Sequence, residues 1–502
     1  MTETTTNTST SASTAPRTDQ TGTAKPLEDQ QVVTNHSVTI AGQTIDYAAK
    51  TGRMVLHDPV DNRPTMALFY VAYLRRDVES SKDRPLVFLW NGGPGSSTMW
   101  LHMYSVGPRR VVFENDILHD NSRWDLTDNE HSILDVADLV FLDAPGTGFS
   151  RFAPGEDPKK YHGIDPDAAA IGDFVAEFTR RERRSESPLV LHGESYGTLR
   201  TPVVAQYLEY PRGLPVDGIV LTSSLMDLAG ATFGIGASPN LGAVGMLPTY
   251  AATALYHGVI EGELETVVEE AERFALEDYS VALLKGSRLS VTEHDRIARR
   301  VAELSGLSAS YVSGANLQVT LWRFHRELLR DRRRTVGRLD TRWVGLSSDN
   351  VGEAFEDDPS MSAIIAPATR ALDAYVHRDL GWESEPSLPY LYQTEFPEWR
   401  HREDQKNGIW TPQLEVASVL RGVMNRSPQL KVLLQSGYYD IGTPYFPAEL
   451  TFDHMQLEPE RAANVSMSRY EAGHMMYVHE PSLVKMRADL VTFLSTLRGG
   501  ER

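Results

Sequence analysis

The chain has 502 residues, a formal charge of −19 and no cysteine. That charge argues against nucleic acid or an anionic membrane as the main partner, and the missing thiols exclude disulfides, thiolate metal sites and cysteine nucleophiles. Hydrophobic residues at 41% and charged residues at 23% supply a large globular core, and the length implies several units or one core carrying a large insertion.

Residues 1–30, rich in Thr, Ser and Pro, read as a disordered tail. They contain no basic stretch followed by an apolar one, so they do not read as a secretory signal. No apolar run reaches the ~18 residues of a membrane span. The expectation is a cytoplasmic protein that engages neither membrane nor nucleic acid.

SVTIAGQTIDYAAKTGRMVLHD (37–58) has the alternation and the turn glycine of antiparallel strands, and FYVAYLRR (69–76) alternates as a strand does. PLVFLW (85–90), DLVFLD (138–143), PLVLHG (188–193), GIVLTSS (218–224) and KVLLQSG (431–437) are nearly continuous apolar runs. Such runs fit strands covered on both faces, as in a mostly parallel α/β sheet. DAAAIGDFVAEFTRRERR (167–184) reads as one of the helices between them. Between 226 and 410 the texture turns helical and charged, as in GELETVVEEAERFALEDYSVALL (262–284) and LQVTLWRFHRELLRDRRR (317–334), and strand-like runs disappear. The expected organisation is a core over 31–225 and 411–502 that is interrupted by a helical cap over 226–410. The arginine runs 180–184 and 332–334 read as solvated helix faces.

HGESYG (192–197) follows an apolar strand and precedes the helix-compatible TLRTPVVAQYLEY. A serine between glycines in a strand–turn–helix context is a nucleophile elbow, in which only glycines fit the flanks and Ser195 stands above the sheet. A serine nucleophile needs a base and a group to orient it, in the chain order Ser, Asp, His for this architecture. Asp440 lies in SGYYDIGTPY and His474 in YEAGHMMYVHEP, each just after a strand-like run. The loop Asn91-Gly92-Gly93-Pro94-Gly95-Ser96-Ser97 offers bare backbone N–H groups to a developing oxyanion. No Lys-Ser/Thr follows it, which excludes a phosphate-cradling P-loop. No HExxH pair or clustered His/Asp set is present, so neither metal nor cofactor is expected.

WNGGPGSS, FLDAPGTGFS, HGESYG, SGYYDIGTP and AGHMMYVHEP together resemble, in order and spacing, the serine carboxypeptidase family (peptidase family S10), over roughly 60–225 and 410–495. The resemblance implies an α/β-hydrolase fold, Ser195 as nucleophile, His474 as general base and acid, and Asp440 as its orienter. It implies an oxyanion hole from the backbone N–H groups of Gly93 and Tyr196. It also implies a site for the substrate's C-terminal carboxylate at Asn91, Gly92 and Glu194. A carboxylate binds a carboxyl group only if one of them holds a proton, so such binding favours acid. The chain departs from the family in three places. Ser105 stands where the second glutamate is expected, Leu89 replaces the usual tryptophan with Trp90 displaced by one, and Ser96 replaces a loop cysteine. The expected function is release of C-terminal residues from peptides through an acyl-enzyme. The loss of the glutamate leaves an esterase or acyltransferase on small acyl substrates as the alternative.

Overall fold

The computed structural model describes residues 27–114, 122–227, 241–352, 357–383 and 415–497. The tail expected over 1–30 lies outside the described residues as far as 26, and the first strand already begins at Gln30.

Strands β1 (Gln30–Ile40), β2 (Gln43–His57) and β3 (Pro64–Arg75) form an antiparallel meander. β1 turns into β2 through Ala41 and Gly42, both at positive φ (48° and 79°), the twist a two-residue hairpin requires. There follow β4 (Leu86–Trp90), a separate hairpin of β5 (Arg109–Phe113) and β6 (Trp124–Asp128), then β7 (Asp138–Leu142), β8 (Arg151–Phe152), β9 (Leu189–Glu194) and β10 (Gly218–Thr222). A short hairpin, β11 (Arg334–Val336) and β12 (Val344–Leu346), precedes β13 (Lys431–Gly437) and β14 (Val465–Tyr470). The main sheet runs β1-β2-β3-β7-β4-β9-β10-β13-β14, with β8 paired to β3. From β7 onward every pairing is parallel, so these strands all point their carboxyl ends toward one edge.

Every residue of β4, β7, β9 and β10 is buried, as their continuous apolar character requires. Alternate side chains feed two cores. Phe88, Val140, Leu191 and Ile219 pack with helices α1 (Ile164–Arg181) and α2 (Tyr196–Glu209) on one face. Leu89, Phe141, Val190 and Leu433 pack with the C-terminal helix Glu480–Ser495 on the other. The alternation read in 69–76 is therefore not an exposed face. Phe69, Val71 and Tyr73 enter one core and Tyr70 and Ala72 the other.

Between β10 and β13 the helices Leu241–Tyr256, Leu264–Phe274, Val291–Ser305 and Leu321–Glu327 build a third core. An antiparallel bridge between Asp227 and Glu415 ties the two ends of the inserted chain. Two expectations are corrected here. Strands do not disappear from this segment, because β11 and β12 pair within it; at three residues each they are too short to leave a periodic signal. Helix Pro359–Ala374 does not join the insertion's own core; Ala363, Ile364 and Ala368 pack onto the main sheet. A third correction concerns 180–184. Arg184 is buried, ion-paired with Asp138 and donating to the Arg84 carbonyl at 2.6 Å. Among the described residues no helix is long and apolar enough to cross a membrane.

Candidate active site

The parallel strands deliver their following loops to one edge, and the residues singled out in the sequence come together there. Ser195 follows β9 directly and precedes α2, with φ 56° and ψ −128°, a conformation that costs about 1–3 kcal/mol and persists only where the surroundings impose it. Its side chain does not cap α2. The flanking glycines are steric necessities. A Cβ on Gly193 would lie 2.3 Å from Thr201 Oγ1 and 2.4 Å from the Gly197 carbonyl, and one on Gly197 would lie 3.0 Å from Trp90 Cδ1.

Asp440 follows β13 and His474 follows β14, and both are buried. His474 Nδ1 lies 2.6 Å from Asp440 Oδ2. The other carboxylate oxygen accepts from the backbone N–H of Gly442 (2.7 Å) and Thr443 (2.9 Å), which fixes the carboxylate plane. Thr443 Oγ1 donates to Asp440 Oδ2 at 2.7 Å and sits 3.0 Å from His474 Nδ1. His474 is held from its backbone as well: its N–H donates to the Leu339 carbonyl (2.6 Å) and its carbonyl accepts from Ser223 Oγ (2.5 Å). With Nδ1 directed at a carboxylate, Nε2 is left as the basic nitrogen. Burial works against the imidazolium, but the Asp440 charge and hydrogen bond, with Glu194 behind them, outweigh it and hold the His474 pKa above its ordinary value. Ser195 Oγ makes no hydrogen bond to His474. Contacts between a nucleophile and its base commonly tighten only in the substrate complex.

The glycine loop after β4 lies across the start of α2. A Cβ on Gly92 would be 2.4 Å from the Tyr196 backbone nitrogen, so glycine alone allows this approach. Gly93 (φ 111°) and Gly95 (φ 92°) take conformations that other residues avoid. Buried Asp143, from the FLDAPGTGFS segment, anchors the far end of the loop by accepting from the N–H groups of Thr98 (3.0 Å) and Phe149 (3.2 Å). Burial raises its pKa to about 6. Asn91 is buried and donates from Nδ2 to Glu194 Oε1 at 2.9 Å; its own carbonyl accepts from Arg200 Nη1 at 2.9 Å. Arg200 in turn is ion-paired with Asp167 inside the core.

Glu194 is fully buried behind the serine, and its second oxygen, Oε2, accepts from the Tyr477 hydroxyl at 2.7 Å. Burial pushes its pKa up to about 7, against the lowering effects of His474 and of the two hydrogen bonds. Ser105 is buried and its Oγ has no hydrogen-bond partner. Trp90 turns beneath α2, its Nε1 donating to Thr201 Oγ1 (3.1 Å), while Leu89 enters the opposite core, so neither presents an indole to the site. Ser96 Oγ donates to the neighbouring Ser97 carbonyl. Next to this cluster lies a cavity of about 520 Å³ lined by Tyr104, Tyr256, Arg342, Tyr439 and Tyr477 among others.

Thus Ser195, Asp440, His474, Glu194, Asn91, Gly92, Gly93 and Tyr196 all lie at the carboxyl-end edge. Sequence reasoning missed Tyr477, Thr443, Ser223 and Arg200. Tyr477 and Thr443 stand inside quoted motifs, but nothing in the spacing distinguishes them from neighbours. Ser223 and Arg200 carry no local signal.

A serine raised on a strand–helix elbow, with an Asp–His pair on loops at the same carboxyl-end edge of a parallel sheet, is the arrangement of an α/β-hydrolase. Comparisons narrow this class. The profile described as "Serine carboxypeptidase" matches residues 45–281. Serine carboxypeptidase-like 50 of Arabidopsis thaliana is 26% identical over 263 residues, 50% of this chain and 52% of the relative. The pheromone-processing carboxypeptidase kex1 of Aspergillus niger is 30% identical over 195 residues, 38% of this chain and 29% of the relative. The chain thus spans about half or less of these curated relatives. The crystal structure of Kex1(delta)p, a prohormone-processing carboxypeptidase from Saccharomyces cerevisiae, matches in fold with a TM-score of 0.51 at 15% identity, covering 89% of this chain and 91% of that one. The likeness to the serine carboxypeptidase family thus rests on residues 45–281, just under half of the chain, and on a shared fold.

Proposed function

We propose that the chain is a serine-type carboxypeptidase that releases C-terminal residues from peptides through an acyl-enzyme on Ser195. His474 Nε2 takes the Ser195 proton as Oγ attacks the scissile carbonyl. Asp440 keeps Nδ1 protonated and stabilises the imidazolium. The N–H groups of Gly93 and Tyr196 receive the oxyanion. His474 then protonates the leaving amine, and water, activated by the same imidazole, releases the acyl group. The observation that carries the reading is the Asp440–His474 contact at 2.6 Å, at the same sheet edge as the strained Ser195 elbow. The carboxypeptidases named among its relatives support a peptide over a small-ester substrate.

Exopeptidase specificity rests on Glu194. When protonated it can donate to the substrate's C-terminal carboxylate beside Asn91 and Gly92; when ionised it repels that carboxylate. With its pKa near 7, recognition is present below pH 7 and is lost as the pH rises through it. His474 has the opposite requirement, since only its neutral form is a base. The test compares kcat/KM for benzyloxycarbonyl-Phe-Leu with that for its C-terminal amide and a simple ester. Above pH 7 the free acid should lose ground to the ester by about tenfold per pH unit. Glu194→Gln, permanently neutral, should flatten that fall. Parallel profiles for acid and ester would rule out the exopeptidase reading.

A further inference from the structure

A buried carboxyl needs partners for both oxygens. In Glu194 one oxygen has Asn91 and the other has Tyr477. The position at which the family resemblance expects a second acid, Ser105, plays no part: its hydroxyl is buried without a hydrogen bond. Tyr477 reaches Glu194 from the loop after β14, only three residues beyond His474, and its ring also lines the 520 Å³ cavity. It is therefore packed between the buried carboxyl and the space beside it.

We propose that Tyr477 is the positioning residue of the carboxylate-reading site, a neutral phenol that holds Glu194 in place of a second acid and sets the pH at which reading stops. The inference rests on the carboxypeptidase reading above. A second carboxyl group would couple to Glu194 and spread recognition over two proton steps. A phenol donates without changing charge: burial and the Glu194 charge raise the Tyr477 pKa well above its ordinary value, so it stays protonated. The titratable groups facing Glu194 are Tyr477 and His474 from the loop after β14 and Asp440 from the loop after β13; Tyr104 faces Tyr477, and Arg338 faces His474. Among them Tyr477 is the direct donor to Glu194, and its hydrogen bond favours the ionised form. Removing it should let Glu194 keep its proton to higher pH.

Tyr477→Phe tests this. The pH at which the free acid loses ground to the ester should move up by about one unit, because a hydrogen bond to a charged group is lost. KM for the free acid should rise several-fold more than KM for the ester as Glu194 loses its fixed orientation. The wild-type fall should follow one proton. A wild-type fall that follows two protons, or an unmoved midpoint in Tyr477→Phe, would overturn the proposal. A substrate-free readout separates this from the carboxypeptidase reading. The infrared carboxyl band that disappears in Glu194→Gln is titrated in wild type and in Tyr477→Phe. A midpoint raised by about one unit supports the role of Tyr477 even if the wild type shows no free-acid preference; an unchanged midpoint overturns it. Replacing tyrosine throughout with 3-fluorotyrosine, a stronger donor, should move the same midpoint down, and a rise would count against the proposal.

Discussion

The sheet edge that carries Ser195 and the inserted helices between β10 and β13 are built on different principles. At the edge, positions are fixed by backbone approaches that admit only glycine and by buried polar groups that hold one another: Asn91 to Glu194, Glu194 to Tyr477, Thr443 to Asp440, Ser223 to His474. In the insertion, apolar helix faces provide the core, joined by buried hydrogen bonds such as Tyr250 to the Val319 carbonyl and Thr253 to Thr341, and many charged pairs lie outside it. Arg296–Asp278 (2.7 Å), Lys285–Glu293 (2.9 Å) and Arg300–Glu303 (2.8 Å) are ion pairs on the surface, and such pairs contribute little. Geometry at the edge is over-determined, whereas the insertion is held mainly by volume. Substitutions at the edge should therefore damage catalysis beyond any loss of stability, and those in the insertion the reverse.

The largest effect expected is at the triad. Ser195→Ala and His474→Ala should each lower kcat by roughly a thousandfold to a millionfold, with the circular dichroism spectrum and Tm near wild type. Labelling by a serine-directed covalent probe should vanish in Ser195→Ala. Near-wild-type turnover in either variant would sink the assignment. Gly92→Ala comes next. Its Cβ would meet backbone, 2.4 Å from the Tyr196 nitrogen, where no side chain can yield. The loop must lift from α2, separating Gly93 from Tyr196, and kcat should fall by about a hundredfold, the scale of one lost oxyanion donor. A loss of Tm with unchanged kcat would show that the loop supports the fold alone.

Much of the edge could be read from the sequence because its chemistry demands particular residues at fixed spacing. Gly193 and Gly197 flank Ser195 for the steric reasons the motif implies, and the continuous apolar runs became fully buried parallel strands. The order Ser195, Asp440, His474 sufficed to place all three after strands. What escaped was set by tertiary contact. Tyr477 and Glu194 are 283 residues apart, and no local pattern announces their hydrogen bond. Arg184 looked like part of a charged helix face, but the chain turns inward and pairs it with Asp138. The β11–β12 hairpin spans too few residues for a period to emerge. Helix Pro359–Ala374 has ordinary helical texture, and only packing decides that it covers the main sheet.

The insertion supplies the smallest and most discriminating test of the contrast. Phe324 is fully buried and stacks on Tyr250, with ring centroids 3.8 Å apart. Truncation to alanine leaves a cavity that neighbouring helices can only partly fill, so Phe324→Ala should destabilise the protein by about 3–5 kcal/mol. Because Phe324 shares a core with Tyr439, next to Asp440, some of that loss could reach the triad. The rigid clamp on Asp440, from Gly442, Thr443 and His474, opposes this transmission. The ester kcat at 20 °C, far below the lowered Tm, should stay within about threefold of wild type. Arg296→Ala removes only an exposed pair and should shift stability by less than about 0.5 kcal/mol. If Phe324→Ala lowered kcat as severely as Gly92→Ala, the insertion's core would be part of the catalytic scaffold, and the division between a geometry-fixed edge and a volume-held insertion would fail.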